Sequence, residues 1–175
     1  MSIKRKFFLL LDFMMIVLLI FWDQYTKQWA VIWLKDKPAY NLINGILELN
    51  YLENQGAAFG VLPNQKIFFA FVAIVILFVV GYVLLKIPDA RKYRILHVLF
   101  SLLVAGAVGN MIDRIRCDYV VDFIYFVGIN FPIFNVADIY TTLSAFTLLI
   151  LLLFVYKEED LYFISFKQKH YRLFK

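Results

Sequence analysis

The sequence has one cysteine, Cys117, in 175 residues. A single thiol builds no disulfide scaffold. Charge is also scarce. Asp, Glu, Lys and Arg together make up 18% of the chain, against roughly 25% in soluble domains. Hydrophobic residues make up 63%, and the mean hydropathy is +0.75. A soluble domain of this size keeps most of its chain near water and has no interior for that much apolar side chain. A soluble globule is therefore excluded, and a disordered chain more firmly still. No glycine loop ending in Lys-Ser/Thr follows a strand, which excludes a phosphate cradle. There is no internal repeat and no low-complexity segment. The four prolines, Pro38, Pro63, Pro88 and Pro132, all fall outside the long apolar runs, as loop residues do.

Those apolar runs are what the chain has in abundance. A spanning helix needs about 20 mostly apolar residues. Residues 67–85, 95–112 and 139–156 each form a run free of Asp, Glu, Lys and Arg. A fourth run, about 7–26, carries Asp12 and Asp23. No small-residue cleavage site follows it, so it reads as an uncleaved first span. The expected architecture is an all-α membrane protein in one domain, 1–175. It has four transmembrane helices and a small outward-facing β-hairpin or sheet between the first and second. The connections are an outer loop at 28–65, an inner loop at 86–94, an outer loop at 113–138 and a basic cytoplasmic tail at 157–175.

Four spans put both termini on one side. Lys4, Arg5 and Lys6, then Lys86, Arg91, Lys92 and Arg94, then Lys157, Lys167, Lys169, Arg172 and Lys175 all belong to that side. The excess of basic residues makes it cytoplasmic. The tail mixes these cations with Tyr162, Phe163, Phe166, Tyr171 and Phe174, which reads as an anchor on an anionic leaflet of the phospholipid bilayer. The net charge of +5 thus reflects orientation. It does not point to nucleic acid, because the basic residues hug the membrane and trace no groove-binding element.

In the first outer loop, Tyr40-Asn41-Leu42-Ile43, Asn44-Gly45 and Ile46-Leu47-Glu48-Leu49 read as a hairpin with a two-residue turn. Asn-Gly supplies the positive φ such a turn needs. Polar residues then gather at one level, the outer interface. Asp23 ends the first span. Asn110, Asp113 and Arg114 end the third, spaced to share one helical face. Asn135 is placed to cap the fourth, with Asp138 in its first turn. Between them, Asp122 stands alone in the apolar, β-branched run Val120-Val121-Asp122-Phe123-Ile124. Its ionised form is disfavoured there. If Asp122 folds back on Asp138, two carboxylates share a dry site and one keeps its proton. Aspartic proteolysis uses that arrangement. The alternative for Asp122 is a loop-backbone hydrogen bond. Asp113, Arg114, Asn135 and Asp138 have their own plain alternative, as helix-end charges and caps.

Other chemistries fit less well. His97 and His170 fall on the inner side and Cys117 on the outer. That argues against a Cys–His nucleophile and a His/Cys metal site. Ser101 and Ser144 lie within spans and read as packed or back-bonded hydroxyls. The small-residue stretch Ala105-Gly106-Ala107-Val108-Gly109 would let a helix or a substrate approach closely.

These motifs resemble bacterial lipoprotein signal peptidase (signal peptidase II), a family of membrane aspartyl proteases. Five blocks match in order: Asp23-Gln24-Tyr25-Thr26-Lys27, Asn54-Gln55-Gly56-Ala57-Ala58-Phe59-Gly60, Gly109-Asn110-Met111-Ile112-Asp113-Arg114, Val120-Val121-Asp122-Phe123 and Phe134-Asn135-Val136-Ala137-Asp138. The resemblance implies Asp122 and Asp138 as the catalytic pair. Asn54, Gly56, Asn110, Asp113, Arg114 and Asn135 would orient the pair or hold substrate, and Asp23 and Lys27 would support the site. It implies lipid-modified prolipoprotein substrates, cut just before the lipidated cysteine, and inhibition by cyclic peptides of the globomycin type. It implies no cofactor, and an outer sheet that cradles substrate. Arg116-Cys117-Asp118-Tyr119 departs from the glycine-containing turn expected before Val120. The rival readings are a small carboxylate-based proton-coupled transporter, which wants acids near the midplane, and a non-catalytic assembly protein. Asp12, near the inner end of the first span, reads as a solvated or paired polar group.

Overall fold

A computed structural model describes residues 3–56 and 65–164. The Ala57-to-Gly60 part of the outer-loop block, Pro63 and most of the basic tail lie outside the described residues. Four α-helices form the bundle: α1 (Ile3–Leu34), α2 (Lys66–Leu84), α3 (Arg94–Cys117) and α4 (Val136–Phe154). All four are long and apolar enough to cross a membrane. Large apolar side chains face outward along them, including Phe78 at 76% and Phe154 at 80% exposure. Such surface needs lipid around it. The chain is a multi-pass membrane protein.

Two helices outrun the lengths expected from the sequence. α1 has 32 residues, about 48 Å at 1.5 Å per residue, and continues well past Thr26. Its extra turns carry Trp29 and Trp33. Lys27 does not end the helix, because its charge is neutralised inside the protein. α3 likewise runs on to Cys117. It stops at Asp118, which takes a left-handed φ of +68°. That is the usual glycine position after a helix, and aspartate tolerates it better than most residues. The polar Arg116-Cys117-Asp118-Tyr119 stretch therefore does the work of the expected glycine turn.

Three strands sit at one end of the bundle: β1 (Tyr40–Ile43), β2 (Leu47–Asn54) and β3 (Val120–Phe126). They pair antiparallel in the order β1-β2-β3. The hairpin is present, with a different turn. Ile43 pairs with Leu47, so three residues connect the strands. Gly45 takes φ +70° while Asn44 does not enter the left-handed region. The third strand lies in the segment read as loop 113–138. It is buried at Val120, Val121, Asp122 and Phe123 alike, so its sequence lacks the alternation that marks a one-sided strand. Opposite β3, the register slips so that Asn50 and Tyr51 face the single residue Phe123. This bulge re-aims the rest of β2.

One apolar cluster (Ala30, Leu34, Val121, Phe123) fixes the sheet to the end of α1. Lys35 Nζ reaches Glu53 Oε1 at 2.8 Å, and the Tyr51 hydroxyl donates to the same oxygen at 3.0 Å. Lys35 holds the Glu53 carboxyl below its usual range. A second cluster, including Val83, Ile87, Tyr93, Leu96 and Tyr156, closes the opposite end. There the Tyr156 hydroxyl donates to Lys92 O at 2.8 Å and Lys92 pairs with Asp160.

Ala105–Gly109 packs against α4 and is not open to substrate. A Cβ on Gly106 would meet Thr141 Oγ1 and come within 2.6 Å of Ala137 O. Ser144 donates back to Tyr140 O at 2.7 Å. Ser101 is fully buried, and its hydroxyl has no hydrogen-bond partner among the described residues.

Candidate active site

Asp122 enters from β3 and Asp138 from the first turn of α4. Asn135 holds both. It caps α4: its Oδ1 accepts from Asp138 N–H at 3.1 Å, while Asp138 Oδ2 accepts from Asn135 N–H at 3.1 Å. That reciprocal pair satisfies two otherwise orphaned donors. Because Oδ1 is committed to the cap, Nδ2 must point the other way. It donates to Asp122 Oδ1 at 2.6 Å and to Asn110 Oδ1 at 3.1 Å.

The other oxygen of Asp122 accepts from Asn54 Nδ2 at 2.7 Å. Asn54 pairs in the sheet with Val120, which puts it diagonally beside Asp122 on the same face. Its Oδ1 in turn accepts from Gly56 N–H at 2.9 Å. Gly56 O accepts from Arg114 Nη2 at 2.9 Å, and the guanidinium carbon lies 4.3 Å from the centre of the Phe69 ring. Asp138 Oδ1 accepts from Asn110 Nδ2 at 2.8 Å.

Beneath these groups is a buried ionic frame. Lys27 is 3% exposed, Asp23 0% and Asp113 6%. Lys27 Nζ lies 3.0 Å from Asp23 Oδ2, 2.9 Å from Asp113 Oδ2 and 2.8 Å from Asn110 Oδ1. An ammonium only donates, so Asn110 must turn its oxygen to Lys27 and its amide nitrogen to Asp138. The two acids each hold one arm of the site. Asp23 Oδ1 accepts from Ala137 N–H at 2.9 Å, fixing the start of α4. Asp113 Oδ2 accepts from Val121 N–H at 3.2 Å, fixing β3 beside Asp122.

Gln24 was not picked out from the sequence as a site residue. Its Nε2 donates to Asp113 Oδ1 at 2.8 Å and to Gly109 O at 3.2 Å. Its position between Asp23 and Lys27 gave no signal of that role. Gly109 is required here, because a Cβ would lie 2.5 Å from Asp23 Oδ2.

The structure thus brings Asp122, Asp138, Asn54, Gly56, Asn110 and Arg114 together at the cavity, with the fully buried Asn135 joining the two acids from behind. It places Asp23, Lys27 and Asp113 behind them. The cavity has a volume of about 370 Å³. Both carboxyl-bearing residues line it. Its other wall is mostly apolar: Phe131, Pro132 and Ile133 from the loop, and Ile139 and Leu143, with Thr142 between them, from the outward flank of α4. The loop residues and flank had no motif to reveal them. Among the described residues, no group of three or more His, Cys, Asp or Glu is gathered to hold a metal ion.

Asp122 is 2% exposed. Burial first, and the charge of Asp138 second, push its carboxyl up to about 7, against the opposing donors Asn54 and Asn135. A carboxyl raised that far gives or takes a proton readily near neutral pH.

A family model described as Signal peptidase (SPase) II matches residues 15–154. A lipoprotein signal peptidase of Streptococcus pyogenes serotype M1 is 38% identical over 157 residues, covering 90% of this chain and 97% of that protein. One from Caldanaerobacter subterraneus is 39% identical over 140 residues, covering 79% and 93%. A solved structure described as a bacterial membrane enzyme superposes with a TM-score of 0.74 at 36% identity. It covers 81% of this chain and 87% of its own.

Proposed function

The chain belongs to the signal peptidase II family, and from that premise we propose that Asp122 and Asp138 are its catalytic aspartates, cutting lipid-modified prolipoproteins just before the lipidated cysteine. The observation that carries this reading is the shared asparagine. Asn135 binds Asp122 at 2.6 Å through its side chain and Asp138 at 3.1 Å through its backbone, at a cavity that both acids line.

Asp122 supplies the proton and Asp138 the base. Water enters beside Asp138, which takes one of its protons as the oxygen bonds to the scissile carbonyl carbon. Asp122 gives its proton to the carbonyl oxygen, forming a tetrahedral diol. On collapse the C–N bond breaks. Asp138 passes its proton to the leaving amine, and a diol proton returns to Asp122. The products are a signal peptide with a new carboxyl group and a mature protein with a free amine on its lipidated cysteine. Arg114 and Gly56 border the cavity and are suited to hold substrate backbone.

Several features support the substrate class. The cavity joins polar catalytic groups to the outward flank of α4, where Leu143 is 58% exposed. An acyl chain beside the cut bond finds apolar surface there. Lys86, Arg91, Lys92, Arg94 and Lys157 belong to the end opposite the sheet, which supports a cytoplasmic position for that end and the termini. The cavity then opens at the outer surface, where a lipid-modified cysteine sits. Cyclic peptides of the globomycin type would compete for the same cavity.

Asp122→Asn and Asp138→Asn test the pair. Each should abolish release of signal peptide from a diacylglyceryl-modified prolipoprotein while the protein still inserts in the membrane. Cleavage retained by either variant refutes the assignment.

A further inference from the structure

α1 meets α3 through polar groups at the frame under the dyad and again at a second place. The second lies about three helical turns toward the other end of the bundle. There Asp12 Oδ2 and His97 Nδ1 are 2.7 Å apart, with side chains 6% and 12% exposed. The Phe8 ring stacks on the imidazole, centroids 5.4 Å apart. The Arg94 guanidinium carbon lies 5.7 Å from the centre of the Phe8 ring.

Nothing in the cleavage chemistry uses this pair, yet polar groups at such depth are costly to keep. The burial pattern of α1 shows what they do. Its buried residues are Asp12, Asp23, Lys27, Ala30 and Leu34. Before Asp23, Asp12 is the one residue of α1 that is buried, while Leu9 and Ile16 pack half-buried against the apolar cluster at that end. Phe7, Leu10, Phe13 and Met14 all face outward. Lipid tails are as apolar as leucine, so such residues gain little by choosing α3 over lipid. Leu9 and Ile16 hold this half of α1 to the bundle, but apolar contact of that kind sets rotation and height less sharply than a directional bond does. A hydrogen bond between Asp12 and His97 specifies both.

Asp12 and Asp23 lie on one stripe of the helix, because eleven residues complete about three turns. A slide or rotation that parts Asp12 from His97 also draws Asp23 and Lys27 away from Gly109, Asn110 and Asp113. The slack there is small, since even a Cβ added to Gly109 would come within 2.5 Å of Asp23 Oδ2. We propose that Asp12 and His97 are positioning residues for cleavage: their hydrogen bond sets α1 on α3, and so delivers Asp23 and Lys27 to the frame that holds Asp122 and Asp138. The inference rests on the dyad reading above.

Leucine substitutions test it cleanly, because they make the spans more apolar and favour insertion. Asp12→Leu and His97→Leu should each lower kcat by about tenfold, the scale expected for slight misplacement of catalytic groups, with KM within twofold. The double variant should be no slower than either single one. Asp12→Asn keeps an oxygen acceptor for the imidazole and should retain most of the wild-type kcat, a rescue that general loss of packing would not give. Wild-type kcat in the leucine variants, or additive losses in the double one, would overturn the proposal. A second readout is independent of turnover. Spin labels at positions 3 and 95 should show a broader distance distribution in Asp12→Leu than in the unaltered protein, and an unchanged width also overturns it. Absence of cleavage by the unaltered chain would refute the proposed activity and leave the spin-label result to decide the clamp.

Discussion

Replacing Asn54 by alanine gives the sharpest test of the proton assignment. Asn54 Nδ2 donates to Asp122 Oδ2 at 2.7 Å. A donor favours the ionised carboxylate, so Asn54 holds the Asp122 carboxyl down against burial and against Asp138. Its removal must move that carboxyl further up. A hydrogen bond to a charged group contributes about 1.5–3 kcal/mol, and one pH unit corresponds to about 1.4 kcal/mol. The alkaline limb of kcat/KM should therefore move upward by about one to two pH units from its origin near 7. The limb reports loss of the proton from the free enzyme's general acid. The assay is the pH dependence of signal-peptide release from a lipid-modified prolipoprotein in detergent, for wild type and Asn54→Ala. The plateau falls as well, because Asn54 also anchors Gly56, so the readout is the position of the limb. A limb that stays in place or moves to lower pH refutes Asp122 as the acid.

Two further outcomes follow from the buried frame and the helix contact. Lys27→Met leaves Asp23 and Asp113 buried without their cation and should cost about 3–5 kcal/mol, read as a lower thermal midpoint in detergent; adding Asp113→Asn should recover part of it, and an unchanged midpoint would contradict a buried ion cluster. Gly106→Leu should destabilise the fold by about 1–3 kcal/mol or more through overpacking against α4, so that thermal stability and cleavage fall together; slower cleavage by a protein of unchanged midpoint would mean that the site of Gly106 admits substrate after all.

Residue chemistry made much of this legible in advance. The apolar runs marked four helices, because bilayer thickness sets their length. Asn44-Gly45 marked the hairpin. Asp122 stood out as an acid among β-branched residues, and Asn135 with Asp138 read as a helix start. What escaped notice did so for physical reasons. β3 is buried on both faces, so the period that reveals a strand was missing. Lys27 resembled the end of a span, because neutralisation by Asp23 and Asp113 depends on a helix more than eighty residues away. Gln24 and His97 meet Asp113 and Asp12 across a helix interface, and a linear pattern carries no trace of such pairing.

The polar groups around the cavity come from α1, α3, α4 and two strands, while α2 contributes the Phe69 ring under Arg114. α1 supplies Asp23 and Lys27, β2 supplies Asn54, α3 supplies Asn110 and Asp113, β3 supplies Asp122 and α4 supplies Asn135 and Asp138. During synthesis the chain emerges in that order, so no partly made molecule holds a working site. Asp122 has only Asn54 for a donor until the last helix arrives, and its proposed partner arrives on that helix. On the proposed dyad, a nascent copy is therefore inert until α4 has joined the bundle.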